Sequence, residues 1–136
     1  MEQQQRKKLE KIVEQNEYIK YLGIELLEME QGYVKARIAH ADKILNPYGY
    51  IHGGALYSFA DTVAGLAACT YGAAVSTIDG SMNYLRPAIG SKYIVCEAHE
   101  LRQGKQVAVY RVELFNDENL LLDSGTFTFH IMDEKL

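Results

Sequence analysis

One stretch constrains this chain more than any other: Asn46-Pro47-Tyr48-Gly49-Tyr50-Ile51-His52-Gly53-Gly54, running straight into an apolar segment from Ala55 to Ala74 with a single carboxylate, Asp61. It predicts a loop feeding a buried helix that carries one acid. A histidine and two glycines at the mouth of a helix leave backbone N–H groups uncovered, because first-turn donors have no intrahelical partner and glycine has no side chain to hide them. Such a mouth suits a polarised carbonyl oxygen or an anion. An acid within an apolar helix is costly to desolvate and is kept where it has a use or a partner. Together these features point to acyl transfer or hydrolysis.

A membrane span is the competing reading of the same run. It is built of Ala, Gly, Ser and Thr around Asp61, and an acid at the centre of a span costs roughly 2.5 to 3.5 kcal/mol on insertion scales, which its few Leu, Phe and Val residues do not offset. A helix enclosed by protein is the better expectation. On a helical wheel from residue 54 to 71, Leu56, Phe59, Val63 and Leu66 share a bulky face, while Ser58, Asp61, Gly65 and Cys69 share a small one. With both faces low in charge, the helix is expected to be covered nearly all round.

Around this helix the chain alternates turns with strand-like segments. Residues 2–21 carry Leu9, Ile12, Val13 and Tyr18 at helical spacing among alternating charges, predicting one amphipathic helix that ends at Gly23. Residues 24–30 and 33–40 read as a hairpin about Gln31-Gly32, with Val34, Ala36 and Ile38 alternating against Lys35 and Arg37. After Gly72, strands are predicted at 74–85, 93–102, 106–115 and 120–131, as an antiparallel meander. The expected organisation is an N-terminal helix over residues 1–20 and one α+β domain over 21–136, its antiparallel sheet wrapped around one long central helix. A chain of 136 residues is long enough for one core of this kind and short for two.

Several function classes are set aside. A net charge of −4 argues against general nucleic-acid binding, and the polar N-terminus lacks the apolar core of an export signal. The two cysteines, Cys69 and Cys96, make no disulfide framework and no metal-ligand spacing, so a reducing, cytoplasmic setting is expected. His40, Asp42, His99 and His130 have no metal spacing either. There is no P-loop, no dinucleotide-binding glycine motif and no G-x-S-x-G nucleophile elbow.

With these pieces in place the sequence resembles the hotdog-fold acyl-CoA thioesterases of the PaaI-like, phenylacetate-pathway type. The likeness is carried by Asn46, His52-Gly53-Gly54, Asp61, Ser76-Thr77-Ile78-Asp79 and Asn83-Tyr84-Leu85-Arg86-Pro87-Ala88, and spans residues 21–131. It implies hydrolysis of an aryl- or medium-chain acyl-CoA, with no metal and no cofactor apart from the coenzyme A of the substrate. It also implies a homodimer or homotetramer, with the active site at the subunit interface and neither nucleic acid nor membrane as partner. Residue by residue, the resemblance makes the Gly53 N–H the oxyanion donor and Asp61 the nucleophile or general base. Asn46 and His52 orient the acyl group, the water or the leaving sulfur, and Thr77 helps position the water. Gly54 belongs to the same mouth, and Arg86, Lys92, Arg102 and Lys105 are candidates to grip the CoA phosphates. Asp79 is expected to be structural, beside the helix.

Helix geometry bears on this independently. Eight residues separate Gly53 from Asp61, and at about 1.5 Å per residue their backbones lie roughly 12 Å apart on one helix. A two-fold axis that sets one chain's Asp61 against the other's Gly53 would unite them and give two equivalent sites. Two rivals are weighed against hydrolysis: a hotdog dehydratase or hydratase acting on the acyl chain, and a non-catalytic acyl-CoA-binding module.

Overall fold

The computed structural model describes residues 1–136. Its elements are α1 (Gln3–Gln15), α2 (Glu17–Leu22), β1 (Glu25–Glu30), β2 (Tyr33–Ala39), a 3₁₀ turn (Asp42–Ile44), α3 (Gly53–Cys69), β3 (Ala73–Tyr84), β4 (Tyr93–Gln103), β5 (Val107–Asn116) and β6 (Leu121–Lys135). All six strands form a single sheet in the order β1-β2-β4-β5-β6-β3, antiparallel throughout. Period-two alternation turns one face inward: Val34, Ala36 and Ile38 on β2, Ala108, Tyr110, Val112 and Leu114 on β5, and Phe127 and Phe129 on β6 are all buried. Against that face lies α3, packed on strands β2 to β6 through Leu56, Phe59, Val63 and Leu66.

The structure corrects four of the expectations. The N-terminal segment is two helices, because Asn16 leaves the helical conformation and its Oδ1 caps α2 by accepting from the Ile19 N–H at 3.0 Å. Only β4-β5-β6 is a meander: β3 pairs with β6 alone, so the chain crosses from one end of the sheet to β4 beside β2. The central helix is not covered all round. Its bulky face is buried by the sheet, but Ser58, Asp61, Gly65 and Cys69 stay half-exposed, since a single sheet layer can cover one side of a helix only. Asp79 does not sit beside the helix; it is exposed on β3, next to a register shift between Thr77 and Asp79.

The two edges of the sheet differ. Along β1 lies α1, and Arg6 reaches over to donate to the Met29 carbonyl. The other edge, β3, is 12 residues long and bare, with Ser76, Thr77, Ile78 and Asp79 exposed in succession and Ile78 keeping 57% of its surface open. No helix is long and apolar enough to cross a membrane.

Candidate active site

The mouth of α3 is built by the loop before it. Asn46 folds this loop on itself: its Oδ1 accepts from the N–H groups of Tyr48 at 2.9 Å and Tyr50 at 3.0 Å, and its own N–H donates to the Tyr50 carbonyl at 2.7 Å. Its amide nitrogen is the polar atom left over. His52 then caps the helix, its Nδ1 accepting from the Gly54 N–H at 2.8 Å while its carbonyl takes the N–H groups of Ala55 and Leu56. Because Nδ1 is the acceptor, neutral His52 carries its ring proton on Nε2. Of the first-turn donors, only the Gly53 N–H is left without an acceptor in the chain.

The two glycines are there for different reasons. A methyl on Gly54 would stand 3.0 Å from His52 Nδ1 and press on the cap, whereas one on Gly53 would meet the Tyr84 ring at an ordinary 3.5 Å. Internal packing therefore does not demand glycine at position 53, and what its missing side chain keeps clear is the approach to its N–H. Tyr84 closes the other side of this turn, its hydroxyl donating to the Gly53 carbonyl at 2.8 Å.

Asp61 and Thr77 come together as a pair. The half-buried carboxyl of Asp61 accepts from Thr77 Oγ1 at 2.8 Å; burial raises its pKa from the ordinary value and the Thr77 bond lowers it, burial being the larger effect. One turn before Asp61, Ser58 accepts from the Tyr18 hydroxyl at 2.7 Å, so α2 borders the same small-residue face. Within one chain the structure thus forms two separate groups, Asn46-His52-Gly53 at the mouth of α3 and Asp61-Thr77 two turns along it.

Beside Gly53 opens a cavity of about 310 Å³, lined among others by Asn46, Leu56, Tyr84, Arg86 and Asp123. Arg86 is fixed there by Nη1 donating to the Leu121 carbonyl at 2.8 Å. Lys92 lies in the segment between β3 and β4, its backbone N–H held by Asp117 Oδ2 at 3.1 Å. Arg102, near the end of β4, and Lys105, in the β4–β5 turn, lie at the far end of α3, where Gln103 reaches the Ala68 carbonyl. In one chain, Arg86 joins the Gly53 group and Lys105 does not.

A family model described as the thioesterase superfamily matches residues 48–122, from the loop before α3 to the start of β6. The chain belongs to that superfamily. Among similar proteins, the acyl-coenzyme A thioesterase PaaI of Escherichia coli K12 is 31% identical over 99 residues, covering 73% of this chain and 71% of that one. The structure of the E. coli PaaI protein from the phenylacetic acid degradation operon superposes with a TM-score of 0.91 at 25% identity, over 96% of this chain and 95% of that one. A hypothetical thioesterase from Streptococcus pneumoniae TIGR4, solved with coenzyme A, superposes with a TM-score of 0.79 at 26% identity, over 84% and 92%. The hotdog fold and thioester hydrolase activity expected from the sequence are those of this superfamily.

Two residues of this thioesterase's cavity were not singled out from the sequence. Tyr84 lay within the quoted Asn83-Tyr84-Leu85-Arg86-Pro87-Ala88 run but carried no role. Asp123 had a detectable signal, a carboxylate at an inward position of a strand whose next inward side chains, past Gly125, are Phe127 and Phe129.

Proposed function

We propose that this thioesterase hydrolyses an aryl- or medium-chain acyl-CoA to the free acid and CoA at a site shared by two chains. What carries the reading is the unsatisfied Gly53 N–H at the mouth of α3, a preorganised donor for a developing oxyanion. The thioester oxygen accepts from this N–H, and the partner's Asp61 faces the carbonyl carbon, held by the Thr77 of its own chain. As a general base, Asp61 takes a proton from water as the water oxygen bonds to the carbonyl carbon; collapse of the oxyanion breaks the C–S bond, and the leaving thiolate takes up a proton. As a nucleophile, the same carboxylate adds to the carbonyl carbon and the C–S bond breaks, the CoA thiolate taking up a proton; water then opens the mixed anhydride, releasing the acid and returning the Asp61 carboxylate. The Asn46 amide nitrogen and His52 Nε2–H supply further donors on the Gly53 side, and Arg86, Lys92 and Lys105 hold the CoA phosphates, with Lys105 brought to the site by the second chain.

The bare edge of β3 supports such a pairing. A long exposed strand presents a row of unpaired N–H and C=O groups, and a second β3 laid antiparallel against it would satisfy them in both chains. The same pairing would cover the half-exposed face of α3 that holds Asp61. A panel of aryl and aliphatic acyl-CoAs, followed by release of free thiol, tests the reaction. Thiol release that is lost in Asp61→Ala supports it. Enoyl formation or hydration without thiol would favour the hydratase, and tight binding without turnover a binding module. Native mass measurement tests the shared site, and a fully active monomer would refute it.

A further inference from the structure

We propose that two copies of this chain pair through β3 with Ser81 on the two-fold axis, so that Thr77 of one chain stands directly opposite the partner's Tyr84. This register rests on the reading of one thioester site shared by two chains, and adds to it where the axis passes. Each half of that site is tied to β3 by one side chain. Thr77 Oγ1 donates to Asp61 Oδ1 at 2.8 Å, and the Tyr84 hydroxyl donates to the Gly53 carbonyl at 2.8 Å. Both side chains lie on the inner face of the sheet: Thr77 is in register with buried Phe129, and Gly80, Met82 and Tyr84 share by parity the face of buried Phe127. Thr77 and Asp79 pair with the consecutive residues Phe129 and Thr128, so Ile78 is the extra residue of a bulge, and Asp79 turns outward with Ser81 and Asn83.

In an antiparallel pair, directly opposite residues share a face, so inward residues must meet inward residues and a slip of one residue is excluded. With Ile78 bulged out, the inward series is Thr77, Gly80, Met82 and Tyr84. Setting Thr77 against the partner's Tyr84 therefore sets Gly80 against the partner's Met82, and Ser81 against its own copy. Moving the centre to Gly80 or to Met82 slides the strands by two residues, about 7 Å, and parts the two anchors. The helix puts the centre within one residue of the same place. Midway between Gly53 and Asp61 on α3 stands Tyr57, and its hydroxyl lies so close to Gly80 that a methyl there would collide with it. The facing pairs also suit one another. The long inward Met82 meets the position that has no side chain, and on the outer face the exposed Asn83 amide can donate to the exposed Asp79 carboxylate. Ser81, exposed in the single chain, carries a hydroxyl that both donates and accepts and so can pair with its own copy. A centre at Asp79 would instead set two carboxylates face to face.

The test is disulfide trapping of the full chain under mild oxidation, read on a non-reducing denaturing gel, with wild type as the control for Cys69 and Cys96. Directly opposite residues of an antiparallel pair have Cα atoms about 4.5 to 5.5 Å apart, within the span of a disulfide. Ser81→Cys should therefore link most chains into dimers, and thiol release by the linked dimer should stay within about twofold of the reduced form, as for an exposed change away from the reacting groups. Asp79→Cys or Asn83→Cys alone should not link, because each would stand four residues from its own copy, about 13 to 14 Å, where a bridge fails beyond about 7 Å. The double variant Asp79→Cys with Asn83→Cys should link again. A Ser81→Cys chain that stays unlinked, or linking by Asp79→Cys, Met82→Cys or Asn83→Cys alone, would overturn the register. The two readings fail separately. Thiol release from acyl-CoAs by a dimer linked at another position would leave the thioester reading standing without this register, whereas linking at Ser81 with no thiol release from any acyl-CoA would leave the register standing without the reaction.

Discussion

Replacing Asp123 by asparagine keeps the shape of a buried, unpartnered carboxyl and removes its charge. Burial pushes the pKa of Asp123 from the ordinary 3.8 up to about 7. The folded state therefore binds a proton that the unfolded chain releases at lower pH. Stability is full well below pH 3.8, where both states are protonated, and is lost progressively as the pH rises from there through about 7. From 3.8 to about 7, at about 1.4 kcal/mol per pH unit, the loss has a ceiling of about 4 kcal/mol. This is a large share of the 5 to 15 kcal/mol typical of a domain. The assay is urea unfolding of wild type and Asp123→Asn at matched protein concentration between pH 4 and 8, followed by circular dichroism because the chain has no tryptophan. The stability of wild type relative to the variant should fall by about 2 to 4 kcal/mol across that range. A difference that stays flat would refute the reasoning and mean that the carboxyl is paired or hydrated in solution.

Three further perturbations probe the proposed site. Gly53→Ala should leave stability unchanged or raise it by up to about 1 kcal/mol, since the added methyl meets only ordinary contact, while thiol release falls by about tenfold or more; thermal melts and kcat/KM check the two halves. Thr77→Val removes the bond that lowers the pKa of Asp61, so the acid limb of the pH–rate profile should move to higher pH, because the carboxylate must be ionised to act. An unmoved limb would mean that Asp61 does not set it. Ile78→Lys places a charge in the middle of the bare β3 edge and should yield monomers without thiol release, read by native mass and activity together.

Sequence reasoning reached far where residue periodicity acts locally. The alternation in β2 separated its inward from its wet face, and the wheel of α3 separated the bulky face that packs on the sheet from the small one, since each depends on neighbours two to four residues away. It failed where a decision depends on distant partners. Nothing near Ala73 says that β3 pairs with β6 and not with β4, and the break at Asn16 was hidden in a run whose apolar spacing continues past it. The small face of α3 holds one charge only, Asp61, yet a low charge is a statement about what the face tolerates, not about what lies on it. In the candidate site, Gly53, His52 and the Asp61–Thr77 pair stand in stretches that were legible, whereas the use of Asn46 Oδ1 inside its own loop and the isolation of Asp123 are properties of three-dimensional packing.

The unequal edges of the sheet also set an arithmetic of association. With α1 laid along β1 and Arg6 occupying the Met29 carbonyl, each chain offers one free strand, so its valence for sheet extension is one. Two such chains joined through β3 exhaust each other. The resulting twelve-stranded sheet would end at both sides in a strand already flanked by helix, and growth into a fibre would have no next place to add.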